Sequence, residues 1–179
     1  MMRITDYKDI IIAIDKIEKD PKLTARENEH KAEKSMLQQL LGDDVALSHN
    51  SDGKPEIDGY NISISHTLNK QDGYIAIIIA KHHKVGIDIE YRSNRIMRIV
   101  ERFLRDDETT TSVDDALISW CAKEAVYKLF SSDDLTYQQM KVSPARDSVE
   151  NIVRRRSVPI NTCMTPGYIM VWTTLAEED

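Results

Sequence analysis

Between Asn61 and Tyr91 three strand-like runs follow one another with only short polar breaks. Asn61-Ile62-Ser63-Ile64-Ser65-His66 alternates as a half-buried strand does, Tyr74 to Ala80 is continuously apolar, and Val85 to Tyr91 alternates again. Lys81 to Lys84 is a polar connector. Strands this closely spaced read as an antiparallel meander.

On either side, helical and strand patterns take turns. Residues 5–18 read as a short helix capped by Thr5 or Asp6, with Ile10, Ile14 and Ile17 on one face; the β-branched run Ile10-Ile11-Ile12 gives a strand as the alternative. Pro21 ends the segment. Thr24 followed by Glu27 is a capping box, Gly42 a C-cap, and Met36, Leu37, Leu40 and Leu41 form the apolar stripe between them. Ser48 to Gly59 reads as a loop. Helices are predicted at about 95–105 and 113–130, the second with Leu117, Trp120 and Cys121 inward, and strands at 137–143, 149–158 and 167–175, punctuated by prolines. The order gives an α+β fold of two comparable halves, 1–80 and 81–179, in one compact unit.

With 41% apolar and 30% charged residues, the 179-residue chain has the composition of a soluble globular protein. A net charge of −6 argues against nucleic acid as partner. Cys121 and Cys163 are too few for a disulfide framework, no segment is long and apolar enough for a membrane span, and the start lacks a signal-peptide pattern, so a cytoplasmic protein is expected.

In Val85-Gly86-Ile87-Asp88-Ile89-Glu90-Tyr91 a period of two puts both carboxylates on one face, about 6–7 Å apart. At an effective dielectric of 20 their repulsion is roughly 2.5 kcal/mol. A wet strand face tolerates that, and so does a face that seats a hard cation such as Mg²⁺. In Trp120-Cys121-Ala122-Lys123-Glu124-Ala125-Val126-Tyr127-Lys128, Glu124 and Lys128 share a helix face, as a surface ion pair would. Each half alone admits a bland reading.

Together, Val-Gly-Ile-Asp-x-Glu followed by Trp-Cys-x-Lys-Glu-Ala-x-x-Lys resembles the signature of the 4'-phosphopantetheinyl transferase superfamily. Arg102-Phe103-Leu104 with Glu108 is similar to the family's intervening helix. Gly53-Lys54-Pro55, Ile64-Ser65-His66-Thr67, the helix Arg26 to Leu41 and Pro166-Gly167-Tyr168 resemble the longer, surfactin-type members, so the likeness spans roughly residues 24–175.

The resemblance implies two pseudo-symmetric halves, each a small antiparallel sheet packed with helices, with the site between them inside a monomer. It implies Mg²⁺ on Asp88, Glu90 and Glu124, and coenzyme A bound by Arg26, Lys34, Gly53, Lys54, Pro55, Ser65, His66, Lys123 and Lys128. Gly53, Lys54 and Pro55 would border the adenine, and Arg26 and Lys34 are candidates for the 3'-phosphate, or else lie on a solvated helix face. His66 and Lys128 would meet the phosphates, with Lys128 the candidate acid and Glu124 the base. The implied reaction is Mg²⁺-dependent transfer of the 4'-phosphopantetheine arm to a serine of an apo acyl or peptidyl carrier protein. The alternative is a catalytically silent coenzyme A-binding or protein-interaction module. Arg92, Arg95, Arg98, Arg102 and Arg105 recur at steps of three and four, a candidate docking stripe for an acidic carrier or a solvated face balanced by Glu101, Asp106 and Asp107. Cys121 reads as packing.

Overall fold

The computed structural model describes residues 2–7, 9–51, 53–70 and 73–177, the first six as backbone alone. Its strands are β1 (Met2–Tyr7), β2 (Ile10–Ile17), β3 (Ser48–His49), β4 (Pro55–Glu56), β5 (Asn61–Leu68), β6 (Gly73–Ala80), β7 (His83–Tyr91), β8 (Met140–Val142), β9 (Ser148–Asn151), β10 (Arg156–Pro159), β11 (Asn161–Met164) and β12 (Tyr168–Ala176). The helices are α1 (Ala25–Leu41), α2 (Val100–Phe103) and α3 (Val113–Leu129). The fold is α+β with small antiparallel sheets, as the element order predicts. No helix among the described residues is long and apolar enough to cross a membrane.

Residues 2–80 build one sheet in the order β1-β2-β6-β5, and residues 83–176 build two more, β11-β12-β7 and β10-β9-β8. The layering follows from which faces are apolar. α1 lays Met36 and Leu37 on the outer face of the first sheet, against Ala13, Ile17, Ile62, Ile75, Ile77 and Ile79. The inner face, with Ile12, Ile14 and Ile78, packs on Ile87, Ile89 and Met170 of the sheet that holds β7 and β12. α3 covers that sheet's other side with Leu117, Cys121 and Val126 against Ile169 and Val171.

α1 keeps the ends its sequence prescribes. The Thr24 hydroxyl accepts from the Glu27 N–H at 3.3 Å, the Thr24 N–H donates to Glu27 Oε2 at 2.7 Å, and the Gly42 N–H closes on Gln38 O at 2.9 Å with φ at 98°.

Several expected elements differ. Within the expected helix, residues 5–7 and 10–17 are instead strands of the hairpin β1–β2, the alternative that the β-branched run gives. β2 is buried on both faces, so its side chains lose the alternation that marks a strand, while Ile10, Ile14 and Ile17 still fit a helical stripe. The meander is broken: β5 and β6 pair, but β7 leaves their sheet and pairs with β12. The helix expected at 95–105 divides into a 3₁₀ turn at Asn94–Arg98 and the four-residue α2, because Ile99 between them has φ −121° and ψ 4°. Residues 149–158 form the hairpin β9–β10, turned through Arg155 at φ 50°, and 137–139 is a 3₁₀ turn ahead of β8. The Ser48–Gly59 loop contains the two-residue ladder β3–β4, and β11 was unforeseen.

Candidate functional site

β7 carries the first two acids, and Gly86 explains how a helix comes to lie over them. A Cβ on Gly86 would stand 1.9 Å from the Ala125 carbonyl oxygen, so only glycine lets α3 approach this closely. From that seat Lys128, in the last turn of α3, donates to Ile87 O at 2.9 Å and to Asp88 Oδ1 at 2.8 Å.

The other edge of β7 meets the inner face of β5. The hydroxyl oxygens of Ser63, Ser65 and Thr67 accept from the backbone N–H groups of Ile87, Ile89 and Tyr91 at 3.2, 3.2 and 3.3 Å. These N–H groups belong to a strand edge that no other strand pairs, and they would otherwise be buried without acceptors. Two of the hydroxyls also donate: Ser65 to Asp88 Oδ1 at 2.7 Å and Thr67 to Glu90 Oε2 at 3.0 Å. The same alternation that joins the two sheets orients both acids.

An aromatic cluster holds one oxygen each of Glu90 and Glu124. Trp120 lies between Phe103 and Tyr137, with ring centroids 5.3 Å from each. Its indole N–H donates to Glu90 Oε1 at 3.3 Å, and the Tyr137 hydroxyl donates to Glu124 Oε1 at 2.6 Å.

Burial raises the pKa of Glu90 and of Glu124, and the charge of Asp88 raises both further against partial relief from Lys128. Asp88 is 5% exposed, and its Oδ2 is buried with no hydrogen-bond partner. Asp88 thus pairs with Lys128 and is coupled electrostatically to Glu90 and Glu124, with one of its own oxygens orphaned, and carboxylate oxygens of this kind suit a hard cation. Among the described residues, no three His, Cys, Asp or Glu side chains are drawn together as a metal cluster. Asp88 Oδ1 is occupied by Ser65 and Lys128, and Glu124 Oε1 by Tyr137.

Two cavities flank the acids. One, of about 220 Å³, is lined by Gly53, Lys54, Pro55, Ser63, Tyr127 and Lys128. The other, of about 520 Å³, has Thr67, Glu90 and Trp120 in its wall together with Arg92, Arg95 and Arg98.

Not every residue of the expected site is gathered here. Lys123 is fully buried and donates to Phe103 O at 2.7 Å, Glu108 Oε2 at 2.5 Å and Tyr137 O at 3.2 Å; all three donors are used internally, so it binds the α2–α3 connection rather than facing a ligand. His66 projects from the opposite face of β5 to Ser65, toward α1, where its Nε2 lies 2.8 Å from Glu33 Oε1. Arg26 is exposed on α1 with its Nε 3.4 Å from His30, and Lys34 lines a separate cavity with His30, Glu33 and His49. Ser65 meets Asp88 and lines neither of the two cavities described above. The arginines do not form one stripe, since their segment is not one helix. Arg92 is paired with Asp114, and Arg105 with Asp107. Cys121 is buried and burial pushes its thiol pKa up, as packing requires.

Sequence reasoning missed Ser63 and Thr67 as acceptors, Tyr137 altogether, and the pairing of Glu108 with Lys123. The hydroxyls at 63, 65 and 67 were visible as a polar face at period two. Tyr137 falls outside every motif, and nothing local marks it.

No curated protein matches the chain. Residues 84–166, the segment that carries Asp88, Glu90 and Glu124, match the model of the 4'-phosphopantetheinyl transferase superfamily.

Proposed function

We propose that the chain moves the 4'-phosphopantetheine arm of coenzyme A onto a serine of an apo acyl or peptidyl carrier protein, releasing adenosine 3',5'-bisphosphate. The observation that carries the reading is Asp88, paired with Lys128 and with its Oδ2 unpartnered, electrostatically coupled to both Glu90 and Glu124. A divalent cation such as Mg²⁺ would be held by those three carboxylates and would supply positive charge against the diphosphate.

The chain's own residues do the rest. Lys54 and Lys128, in the wall of the smaller cavity, offer cations to the phosphates. Glu124 accepts the proton of the incoming serine as its oxygen bonds to phosphorus. The bond from that phosphorus to the bridging oxygen breaks, and the bisphosphate departs with the electron pair, its charge met by Lys128. Trp120 and Thr67 hold Glu90, and Ser65 holds Asp88, so neither acid has to reorganise.

All these groups come from one chain, with residues 2–80 supplying Gly53-Lys54-Pro55 and the hydroxyl face. That supports placement with the longer, surfactin-type members and activity as a monomer. Two unpaired cysteines accord with the reducing cytoplasm. The acidic carrier is assigned to the larger cavity, whose rim includes the exposed Arg95 and Arg98, with Arg102 nearby in sequence.

Incubation with coenzyme A, Mg²⁺ and an apo-carrier protein should add the mass of one phosphopantetheine arm to the carrier. Asp88→Ala and Glu124→Ala should reduce labelling by at least about 10³-fold. Labelling near the parent rate in either variant removes the metal assignment, and no labelling by the parent with any carrier tested removes the reaction.

A further inference from the structure

Tyr137 has no place in the sequence motifs, yet it makes the shortest contact among the hydrogen bonds to the three acids: its hydroxyl donates to Glu124 Oε1 at 2.6 Å. We propose that Tyr137 is a positioning residue, which fixes the Glu124 carboxylate for its work on the cation and the nucleophile. The inference rests on the transferase reading for its kinetic consequence, but not for its binding consequence.

Three observations show that the phenol is itself held in place. Thr136 and Gln139 close a capping box around the 3₁₀ turn that carries Tyr137, with the Thr136 N–H donating to Gln139 Oε1 at 2.9 Å. The buried Lys123 ammonium donates to the Tyr137 carbonyl at 3.2 Å while paired with Glu108 at 2.5 Å, so one residue next to Glu124 in the helix anchors the backbone of Glu124's partner. The ring stacks on Trp120 with centroids 5.3 Å apart, and Trp120 donates to Glu90. A single stacked pair therefore governs two of the three acids.

The chemical need is plain. A carboxylate has two oxygens and several torsional choices, and Glu124 feels repulsion from Asp88. A donor fixed on one oxygen leaves the other directed and keeps its full acceptor capacity. Groups that orient a metal-binding carboxylate commonly matter by 10- to 100-fold in affinity or activity.

The test is Tyr137→Phe, which keeps the ring stack and deletes the donor, measured in two ways. Mg²⁺ alone is titrated calorimetrically against the full chain, and turnover is followed with coenzyme A and an apo-carrier. Tyr137→Phe should weaken Mg²⁺ binding by roughly tenfold and lower kcat by a similar factor, with KM for coenzyme A unchanged. Glu124→Gln and the double variant complete a cycle: once Glu124 is altered, losing the hydroxyl should cost nothing further in Mg²⁺ binding.

Unchanged Mg²⁺ binding in Tyr137→Phe overturns the proposal, and so does a loss of equal size in the Glu124→Gln background, which would mark a merely structural ring. If the parent binds Mg²⁺ but transfers nothing, the transferase reading fails while the cycle still decides on Tyr137. Should Tyr137→Phe unfold at lower temperature, Tyr137→Trp with the same cycle separates packing from donation, since failure of Mg²⁺ binding to follow the donor again sinks the idea.

Discussion

Gly86 sets the separation between β7 and α3. Its missing side chain is occupied by the backbone of α3 at Ala125 and Leu129, neither of which can yield as the tip of a side chain would. Gly86→Ala must therefore push the helix away from β7. The expected cost is about 3 kcal/mol of stability, at the upper end for overpacking, with activity lost because Lys128 no longer reaches Ile87 O and Asp88. Urea unfolding and the carrier-labelling rate check it together; a variant as stable and as active as the parent shows that the helix seat is soft. Within the sequence this glycine reads as part of a motif, and its reason appears only once α3 is laid across it.

At the scale of elements, α1 is tied to β5 through Glu33, which lies buried between His30 at 3.0 Å and His66 at 2.8 Å. Burial would raise the pKa of Glu33, but the two histidines outweigh it and hold the value below 4.5. A depressed folded pKa means that the stabilisation is complete above the unfolded value and is lost as pH falls through the folded one. Glu33→Gln should be less stable than the parent at neutral pH, with the gap closing as pH falls below about 4.5. Denaturant melts at a series of pH values measure the gap, and a constant difference down to pH of about 3 would refute the assignment.

Elements also show where sequence reading reaches and where it stops. α1 was legible to the residue because its capping box and C-cap glycine are local chemistry. Asp88 and Glu90 were legible as a same-face pair because strand period is local too. β2 was not, since a strand buried on both faces shows no alternation. The departure of β7 to a second sheet was invisible, because the polar connector before it suits a hairpin to β6 as well as a crossing to β12. His66 was expected at the phosphates by motif, while period two sets it on the opposite face to Ser65, where it meets Glu33. Tyr137 meets Glu124 only through tertiary folding.

For the molecule as a whole, a net charge of −6 coexists with the unengaged cations Arg95 and Arg98 beside the larger cavity. Charges placed so near an entrance act on encounter more than on the bound state. Arg95→Glu with Arg98→Glu should raise KM for the carrier about tenfold, more at low salt than at high, while KM for coenzyme A stays put. Carrier kinetics indifferent to both charges and salt would detach the arginines from docking.

The hydroxyl seam between β5 and β7 has one more consequence. Backbone N–H groups on an uncovered strand edge are a template on which a stranger's strand can grow, and here Ser63, Ser65 and Thr67 plug that template with side chains instead of another strand. The first sheet thereby acts as a built-in guard against self-association: a fragment starting near residue 81 would bare the row from Ile87 to Tyr91 and turn β7 into an aggregation seed.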